Sequence, residues 1–452
     1  MIEKTNRRQF LQLTTALGIG SSVMSAQAAD RAPAYDLSSS YQSPRGFAAA
    51  PMERVRIAFV GVGLQGGSHV KNFLNMEKVD IVALCDIDTA RAKEVAGWVK
   101  TEGRPEPELY TRGDYDFKRL CERTDIDLVF NATPWEWHVP VCVEAMVTGK
   151  HAAVEVPAAY TLDGCWQLVE TAEKTNRHCI MMENCCYGRS EMMVLNMVRA
   201  GIFGELLHAE GAYINDLRAI KFSDKYEGLW RLAHAISRNG NLYPTHGLGP
   251  VAMCLDINRG DAFDYIVSMS SNARGLKKYA QEHLPAGDPR RKQNYALGDM
   301  NTSLIRTVQG KTIMVQHDTT SPRPYSRINL LQGTNGTFRG YPDGIFIEGR
   351  NKEHKYESLE SYVEHYDHVL WRQVGDKAKG AGHGGMDFLE DYRLVQCLLA
   401  GAPLDMDVYD AAALSVVTAL SEQSVAERGR SVDFPDFTRG RWRERKPVVI
   451  GT

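Results

Sequence analysis

The run Arg54-Val55-Arg56-Ile57-Ala58-Phe59-Val60 is β-branched, apolar and closed by Gly61, which predicts a buried strand. It leads straight into Gly61-Val62-Gly63-Leu64-Gln65-Gly66, a complete G-x-G-x-x-G, and then into a segment of helical character over 68–76. In such a strand–turn–helix the first glycine permits the tight turn and the second lets a pyrophosphate approach the backbone. The third allows close helix–strand packing. Free N–H groups at the helix N-terminus then face the phosphates. A glycine triplet alone is weak evidence. Here the next predicted strand, 80–85, ends in Asp86, 25 positions after Gly61. A carboxylate there hydrogen-bonds the adenosine ribose hydroxyls and repels a 2′-phosphate, so the pattern predicts an NAD site and disfavours NADP. The neighbouring Asp88 reads as a solvated turn residue.

The alternation continues. Helical segments are expected over 90–100, 138–148 and 162–175, with strands over 127–132, 152–155 and 179–182. This βαβ rhythm implies a parallel sheet with helices on both faces, ending near Asn184. Beyond Tyr187 the pattern changes. After one helix over 191–200 come β-rich segments at 206–213, 265–270, 302–307, 312–317 and 326–331, with the turn Gly333-Thr334-Asn335-Gly336. Helices return over 386–399 and 411–428. The expected fold class is α/β: an N-terminal Rossmann unit with a doubly wound parallel sheet, then a C-terminal α+β domain with an open, mainly antiparallel sheet.

Composition narrows the function. The 452 residues suggest about three units at roughly 150 residues each. With 43% hydrophobic and 24% charged residues, the chain is an ordinary globular one and not disordered. Lys and Arg number 53 against 56 Asp and Glu, so no basic field exists to hold a nucleic-acid backbone. No uncharged apolar run reaches the length of a membrane span. The nine cysteines (positions 85, 121, 142, 165, 179, 185, 186, 254 and 397) are scattered without C-x-x-C spacing or paired histidines. Buried free thiols are expected, with no disulfide framework and no metal site.

The N-terminus reads as an address. Thr5-Asn6-Arg7-Arg8-Gln9-Phe10-Leu11 is followed by a mildly apolar stretch to Met24 and by Ala26-Gln27-Ala28, an A-x-A cleavage pattern. The arrangement resembles a twin-arginine export signal and implies a periplasmic or otherwise exported protein, recognised by the twin-arginine machinery. That route carries proteins already folded, often with a cofactor inside, and folding first removes pressure to form disulfides. The expected organisation is a signal peptide over 1–28, an arm over 29–52, the NAD-binding Rossmann domain over 53–185 and a substrate-binding α+β domain over 186–452.

Two strings, Thr133-Pro134-Trp135-Glu136-Trp137-His138 and Gly149-Lys150-His151-Ala152-Ala153-Val154-Glu155-Val156-Pro157, resemble the glucose–fructose oxidoreductase / inositol dehydrogenase superfamily. Two departures steer away from its polyol and sugar dehydrogenases. The usual Glu-Lys-Pro is here Glu155-Val156-Pro157, and the Asp-x-x-x-His relay is here Leu242-Tyr243-Pro244-Thr245-His246, without the aspartate. The strings Trp230-Arg231, Arg238-Asn239-Gly240-Asn241-Leu242-Tyr243-Pro244-Thr245-His246-Gly247 and Gly382-His383-Gly384-Gly385-Met386-Asp387 resemble the NAD-dependent family 109 glycosidases, over about Val55 to Phe437.

That resemblance implies α-N-acetylgalactosaminidase activity on glycans carrying the terminal sugar. The implied cycle is redox-neutral and retaining: oxidation at C3, loss of the C2 proton, elimination at C1, addition of water and reduction at C3. Such enzymes stand outside the two-carboxylate scheme, and bound NAD that is regenerated each turnover suits export from the cytoplasm. The resemblance places cofactor contacts at Leu64, Gln65, Asp86, Trp135, Glu136, Trp137, His138, Glu155, Val156 and Asn184, beside Gly61, Gly63 and Gly66. For the sugar it selects Tyr213, Arg231, Tyr243, Pro244, Thr245, His246 and Tyr325. His246, in a loop-like context, is the best proton acceptor for the C3 hydroxyl. Tyr213 and Tyr325 are donors or bases around C1 and C2. Arg231 clamps the substrate or pairs with a surface acid, and His383 sits in a glycine-rich loop able to reach the pocket. Glu183 and Asp387 read as helix-cap or salt-bridge residues. Open sheets in the superfamily commonly pair between subunits, so a homo-oligomer is among the expectations. The rival readings are a periplasmic sugar oxidoreductase that keeps its NAD(P) bound and a non-catalytic sugar sensor.

Overall fold

The computed structural model describes residues 49–450, so the signal peptide expected over 1–28 and most of the arm expected over 29–52 lie outside the described residues. The first sheet contains β1 (Val55–Val60), β2 (Val79–Cys85), β3 (Glu108–Tyr110), β4 (Leu128–Asn131), β5 (His151–Val154) and β6 (Cys179–Met181). Its order is β3-β2-β1-β4-β5-β6, and every neighbouring pair is parallel. The strands are mostly apolar because helices cover both faces, and β4, β5 and β6 are buried at every position. The strand order reverses between β1 and β4, the switch point at which sheets of this kind open a ligand crevice. Phe59, Phe73 and Phe130, all fully buried, close the core beneath it, with centroids 5.1 to 5.8 Å apart. Each such ring contributes roughly 1.5–3 kcal/mol by leaving water.

Local signals set the helix ends. Asp88 is more than a solvated turn residue: its carboxylate accepts from the Ala90 and Arg91 N–H groups and caps helix Thr89–Thr101. Thr161 does the same for helix Leu162–Thr175. The three-residue β3 and helix Asp116–Cys121 were not anticipated, being too short to show a period.

The second sheet is larger and mixed. It comprises β7 (Leu206–Ile214), β8 (Phe263–Ser270), β9 (Asn301–Thr307), β10 (Thr312–Asp318), β11 (Leu330–Gly333), β12 (Gly336–Arg339), β13 (Gly344–Ile347) and β14 (Val432–Asp433). The order is β13-β12-β11-β7-β10-β9-β8-β14, with β7 and β10 parallel and all other pairs antiparallel. In β9 and β10 buried and exposed residues alternate, so one face meets the core and the other faces outward.

Two expected elements differ. The strand expected over 326–331 begins only at Leu330, because Ile328 and Asn329 occupy the left-handed region (φ 60° and 52°) and interrupt the extended run. The helix expected over 411–428 starts earlier, at Val408, where Asp407 and Asp410 form a capping box, and it is divided at Val416 into Val408–Ser415 and Val417–Ala426.

Helix Thr245–Cys254 was not anticipated, since two glycines and Pro250 weaken its propensity. Packing accounts for it. A Cβ on Gly247 would lie 2.2 Å from Ala212 N, and one on Gly211 would lie 2.2 Å from Gly247 O. The helix therefore lies directly on the backbone of β7. Helix Met386–Ala400 in turn packs on helix Leu64–Leu74 behind the glycine turn. Among the described residues no helix is long and apolar enough to cross a membrane.

Candidate functional site

The glycine turn is built as its sequence requires. Gly61 has φ 83°, and a Cβ there would meet Ala132 O at 2.7 Å; one on Gly66 would meet Gly61 O at 2.1 Å. At Gly63 the nearest atom to an added Cβ is Tyr226 Cδ1 at 3.7 Å, so that side of the turn is open. Arg91 holds the loop by donating to Val62 O and Gly63 O, both at 2.8 Å. Asp86 accepts from Val62 N–H and Asp88 N–H, also at 2.8 Å. Leu64, in the glycine turn, and Ile87, next to Asp86 in sequence, are exposed apolar side chains. Ile87 was missed; an apolar residue directly after the acid at a strand end was its signal. An open glycine, free helix N–H groups, a carboxylate and two exposed apolar side chains fit a dinucleotide.

The Trp135–His138 stretch opens helix Trp135–Val147, and its four side chains diverge. Trp135 turns toward the second half, 4.9 Å from Trp230 and 5.9 Å from Tyr243 between centroids. Glu136 faces His234, while Trp137 leans on Tyr115 and Phe117. The buried His138 ring is spent on Pro157 O and Thr133 O, at 2.8 and 2.9 Å. It shapes the loop and leaves no ring nitrogen for a ligand.

Asp387 organises the next part. It accepts from Gln65 Nε2 (3.2 Å) and Asn184 Nδ2 (2.6 Å) and pairs with His383 Nδ1 (2.9 Å). Burial alone would raise its carboxyl, but His383, His69 and Asn184 hold it at about 2. The sequence reading gave Asp387 a salt-bridge role; the fold makes that bridge the junction between Gln65 and Asn184. Glu155 projects from the end of β5, its Oε2 accepting from Val156 N–H at 3.1 Å.

On the other side, His246 stands in the first turn of helix Thr245–Cys254, and the loop placement is corrected accordingly. Its Nδ1 lies 2.7 Å from Oε1 of the fully buried Glu183. Burial would raise the Glu183 carboxyl, yet the charge and hydrogen bond of His246 hold it below the usual range. Glu183 also accepts from Cys185 N–H, so the cap and salt-bridge roles coexist. In the neutral ring with Nδ1 donating to Glu183, Nε2 is the acceptor nitrogen, and a proton taken up there is balanced by the Glu183 carboxylate.

Aromatic rings surround this imidazole. Tyr213 and Tyr243 lie 5.4 and 4.9 Å from it and 4.6 Å from one another. Tyr325, half-exposed, stands 6.2 Å from Tyr213. Burial raises all three hydroxyls, so at neutral pH each is a donor. Arg231 is buried, ion-paired to Glu227 at 2.9 Å, and its guanidinium lies over Trp135, Trp230 and Tyr243. Pro244 is the N-cap residue of the His246 helix and Thr245 its buried first residue.

Some groups were not anticipated. Arg327, paired with Glu191, donates to the Tyr325 hydroxyl at 3.3 Å. Lys221 is buried and pushed down to about 7 by burial and Arg231. Neither lies in a recognisable pattern. Glu183, Cys185 and His246 bring three potential metal ligands within 4.8 Å, but burial pushes the Cys185 thiol well up, against the thiolate a metal would need.

Two family matches divide the chain. The oxidoreductase family, NAD-binding Rossmann fold, matches residues 55–183, and the C-terminal domain of glycosyl hydrolase 109 matches residues 187–444. The chain belongs to glycosyl hydrolase family 109. Family 109 proteins of Shewanella pealeana and Solibacter usitatus are 51% and 50% identical to it, each match covering 99% of this chain and 100% of the relative. A Shewanella oneidensis protein named alpha-N-acetylgalactosaminidase is 50% identical, over 98% of both chains.

Solved structures share the fold at lower identity. Levoglucosan dehydrogenase in complex with NADH and L-sorbose has a TM-score of 0.67 at 18% identity, covering 85% of this chain and 100% of that one. An inositol dehydrogenase homolog from Azotobacter vinelandii, complexed with NAD+, has 0.64 at 19% identity, covering 86% and 100%. This family 109 chain is thus a glycosidase-family protein built on an NAD-binding Rossmann domain.

Proposed function

We propose that this protein is an α-N-acetylgalactosaminidase that works through a redox-neutral, retaining cycle with NAD. The observation that carries the reading is the His246–Glu183 pair set among Tyr213 and Tyr243. The name of the Shewanella oneidensis relative supports the substrate. NAD, when bound, supplies reversible oxidation and reduction at C3 of the sugar.

The chain's own residues manage position and protons. The glycine turn and Asp86 hold the nucleotide, and Gln65, Asn184 and Asp387 hold the adjoining edge. His246 Nε2 accepts the C3 hydroxyl proton while Glu183 orients the ring and balances the charge it acquires. Tyr213, Tyr243 and Tyr325 offer hydroxyl donors around the ring, and Arg231 presents a cation backed by aromatic faces.

We further infer that residues 1–28 form a twin-arginine leader that sends the folded, loaded protein to the periplasm. Its supports are Arg7-Arg8 with the A-x-A pattern, and nine cysteines that are all buried and free. The same reading divides the mature chain into a Rossmann unit over 53–185 and a substrate unit over 186–452. The outward face of the second sheet, which exposes Met269 and Leu304, supports pairing with a second copy.

The test is an aryl α-N-acetylgalactosaminide offered to purified protein in D₂O without added nucleotide. Phenol release with deuterium at C2 of the product is expected. Release without exchange at C2 would refute the elimination route, and net ketone or lactone formation from free sugar would favour a sugar oxidoreductase.

A further inference from the structure

The helix behind the glycine turn carries a histidine that the G-x-G-x-x-G motif does not require. His69 is fully buried, and both ring nitrogens face carboxylates: Nδ1 lies 2.8 Å from Asp391 Oδ2 and Nε2 lies 2.8 Å from Glu155 Oε1. A neutral imidazole has one N–H and one lone pair, so one of these anions would face a lone pair. Only the imidazolium donates to both. Burial opposes that charge, but Asp391 and then Glu155 raise His69 well above its ordinary range. The ring is wedged against Phe130, with centroids 4.5 Å apart.

Three elements meet at this ring. Helix Leu64–Leu74 supplies His69 and also Asn72, whose Nδ2 donates to Asp391 Oδ2 at 2.9 Å. The end of β5 supplies Glu155, and helix Met386–Ala400 of the second half supplies Asp391. Other titratable groups crowd the same place. Asp387 is paired with His383, and Glu390 is buried with neither oxygen partnered among the described residues. Burial raises the Glu390 carboxyl well above its usual value and pushes Asp391 up to about 6. Val156, next to Glu155, is apolar, so the positive charge held against Glu155 comes from across the sheet. One Glu155 oxygen takes it and the other takes the Val156 N–H, so both oxygens of the carboxylate are engaged at the strand end where ligands of such sheets bind.

We propose that His69 is a positioning residue: it fixes the Glu155 carboxylate at the nucleotide side of the site, and Asp391 fixes the imidazolium from behind. For the reaction affected, this rests on the glycosidase reading. The charge state and cofactor retention it requires do not depend on the substrate.

The purified full-length protein tests it in two ways. Histidine ¹⁵N NMR, assigned by difference against Asp391→Asn and His69→Gln, is expected to show His69 protonated on both nitrogens through pH 8. His69→Gln keeps one donor without the charge, and it is expected to retain at least tenfold less NAD after desalting and to lower kcat at least tenfold with KM little changed. Asp391→Asn removes the counter-charge and is expected to move the alkaline limb of the kcat profile down by a unit or more. A neutral His69 at pH 7 would overturn the proposal whether or not the variants fold. So would variants that keep wild-type NAD retention and an unshifted pH profile. Should the wild type fail to cleave any aryl glycoside, the glycosidase reading falls, while the NMR and NAD-retention results still decide the role of His69.

Discussion

The Nδ1 atom of His246 lies 2.7 Å from Glu183 Oε1, an ion-pairing contact between the first turn of a helix in the second half and the end of the last Rossmann strand. Glu183 is 1% exposed and its same oxygen also accepts from the Cys185 N–H, so His246 is oriented by a buried, fixed anion. Glu183→Gln keeps the shape and removes the charge that stabilises a protonated ring. Its expected effect is a kcat loss of about 100-fold, in the range of lost acid–base catalysis, with KM changed little. Steady-state kinetics on an aryl glycoside, with circular dichroism as the folding control, checks this.

Asp387 gives a pH prediction. Its folded value of about 2 lies below the ordinary aspartate value, so its stabilisation is complete above about pH 4 and is lost as pH falls toward 2. Asp387→Asn is expected to flatten the acid limb of the stability curve over that window. Because Gln65 and Asn184 both donate to this carboxylate, the variant is also expected to retain less NAD. Thermal melts from pH 2 to 7 and the NAD content of desalted protein read both effects.

Gly247→Ala places a methyl group 2.2 Å from Ala212 N, on backbone that cannot move aside. Overpacking of this kind costs about 1–3 kcal/mol or more. The melting temperature is expected to fall, and catalysis with it, since His246 is the adjacent residue. An alanine at Gly97, inside helix Thr89–Thr101 with nothing within 4 Å of an added Cβ, is expected to leave catalysis unchanged and to hold or slightly raise the melting temperature.

Leu304 is exposed on the outward face of the second sheet beside Met269. Leu304→Glu is expected to convert a homo-oligomer to monomer without unfolding it, as measured by light scattering after size exclusion. A wild-type protein that is already monomeric at micromolar concentration would remove the pairing proposed for this face.

Much of the nucleotide half was legible residue by residue. Periodicity and a glycine triplet are local, and Val55–Val60, the turn after it and Asp86 each carry their meaning within a few positions. Helix Thr245–Cys254 was illegible for the converse reason: glycine and proline speak against a helix, and only the close backbone approach of Gly247 to β7 pays for it. His246 was nevertheless selected, because its chemistry and motif were visible without its conformation. Glu183 and Asp387 were undervalued, and His69 was missed. A carboxylate or imidazole shows its importance only through its partner, and theirs stand 63, 203 and 322 positions away in sequence.

The sequence by itself determined the parallel βαβ half, the nucleotide-binding turn, the change to a second, sheet-rich half, and the strings that mark the family. These are patterns of period, propensity and spacing, written along the chain. The tertiary structure alone decided which side chains carry charge and where they point: Glu183 behind His246, Asp387 between Gln65 and Asn184, and His69 between Asp391 and Glu155. Burial makes each of those charges dependent on a partner, and partners are brought together by folding.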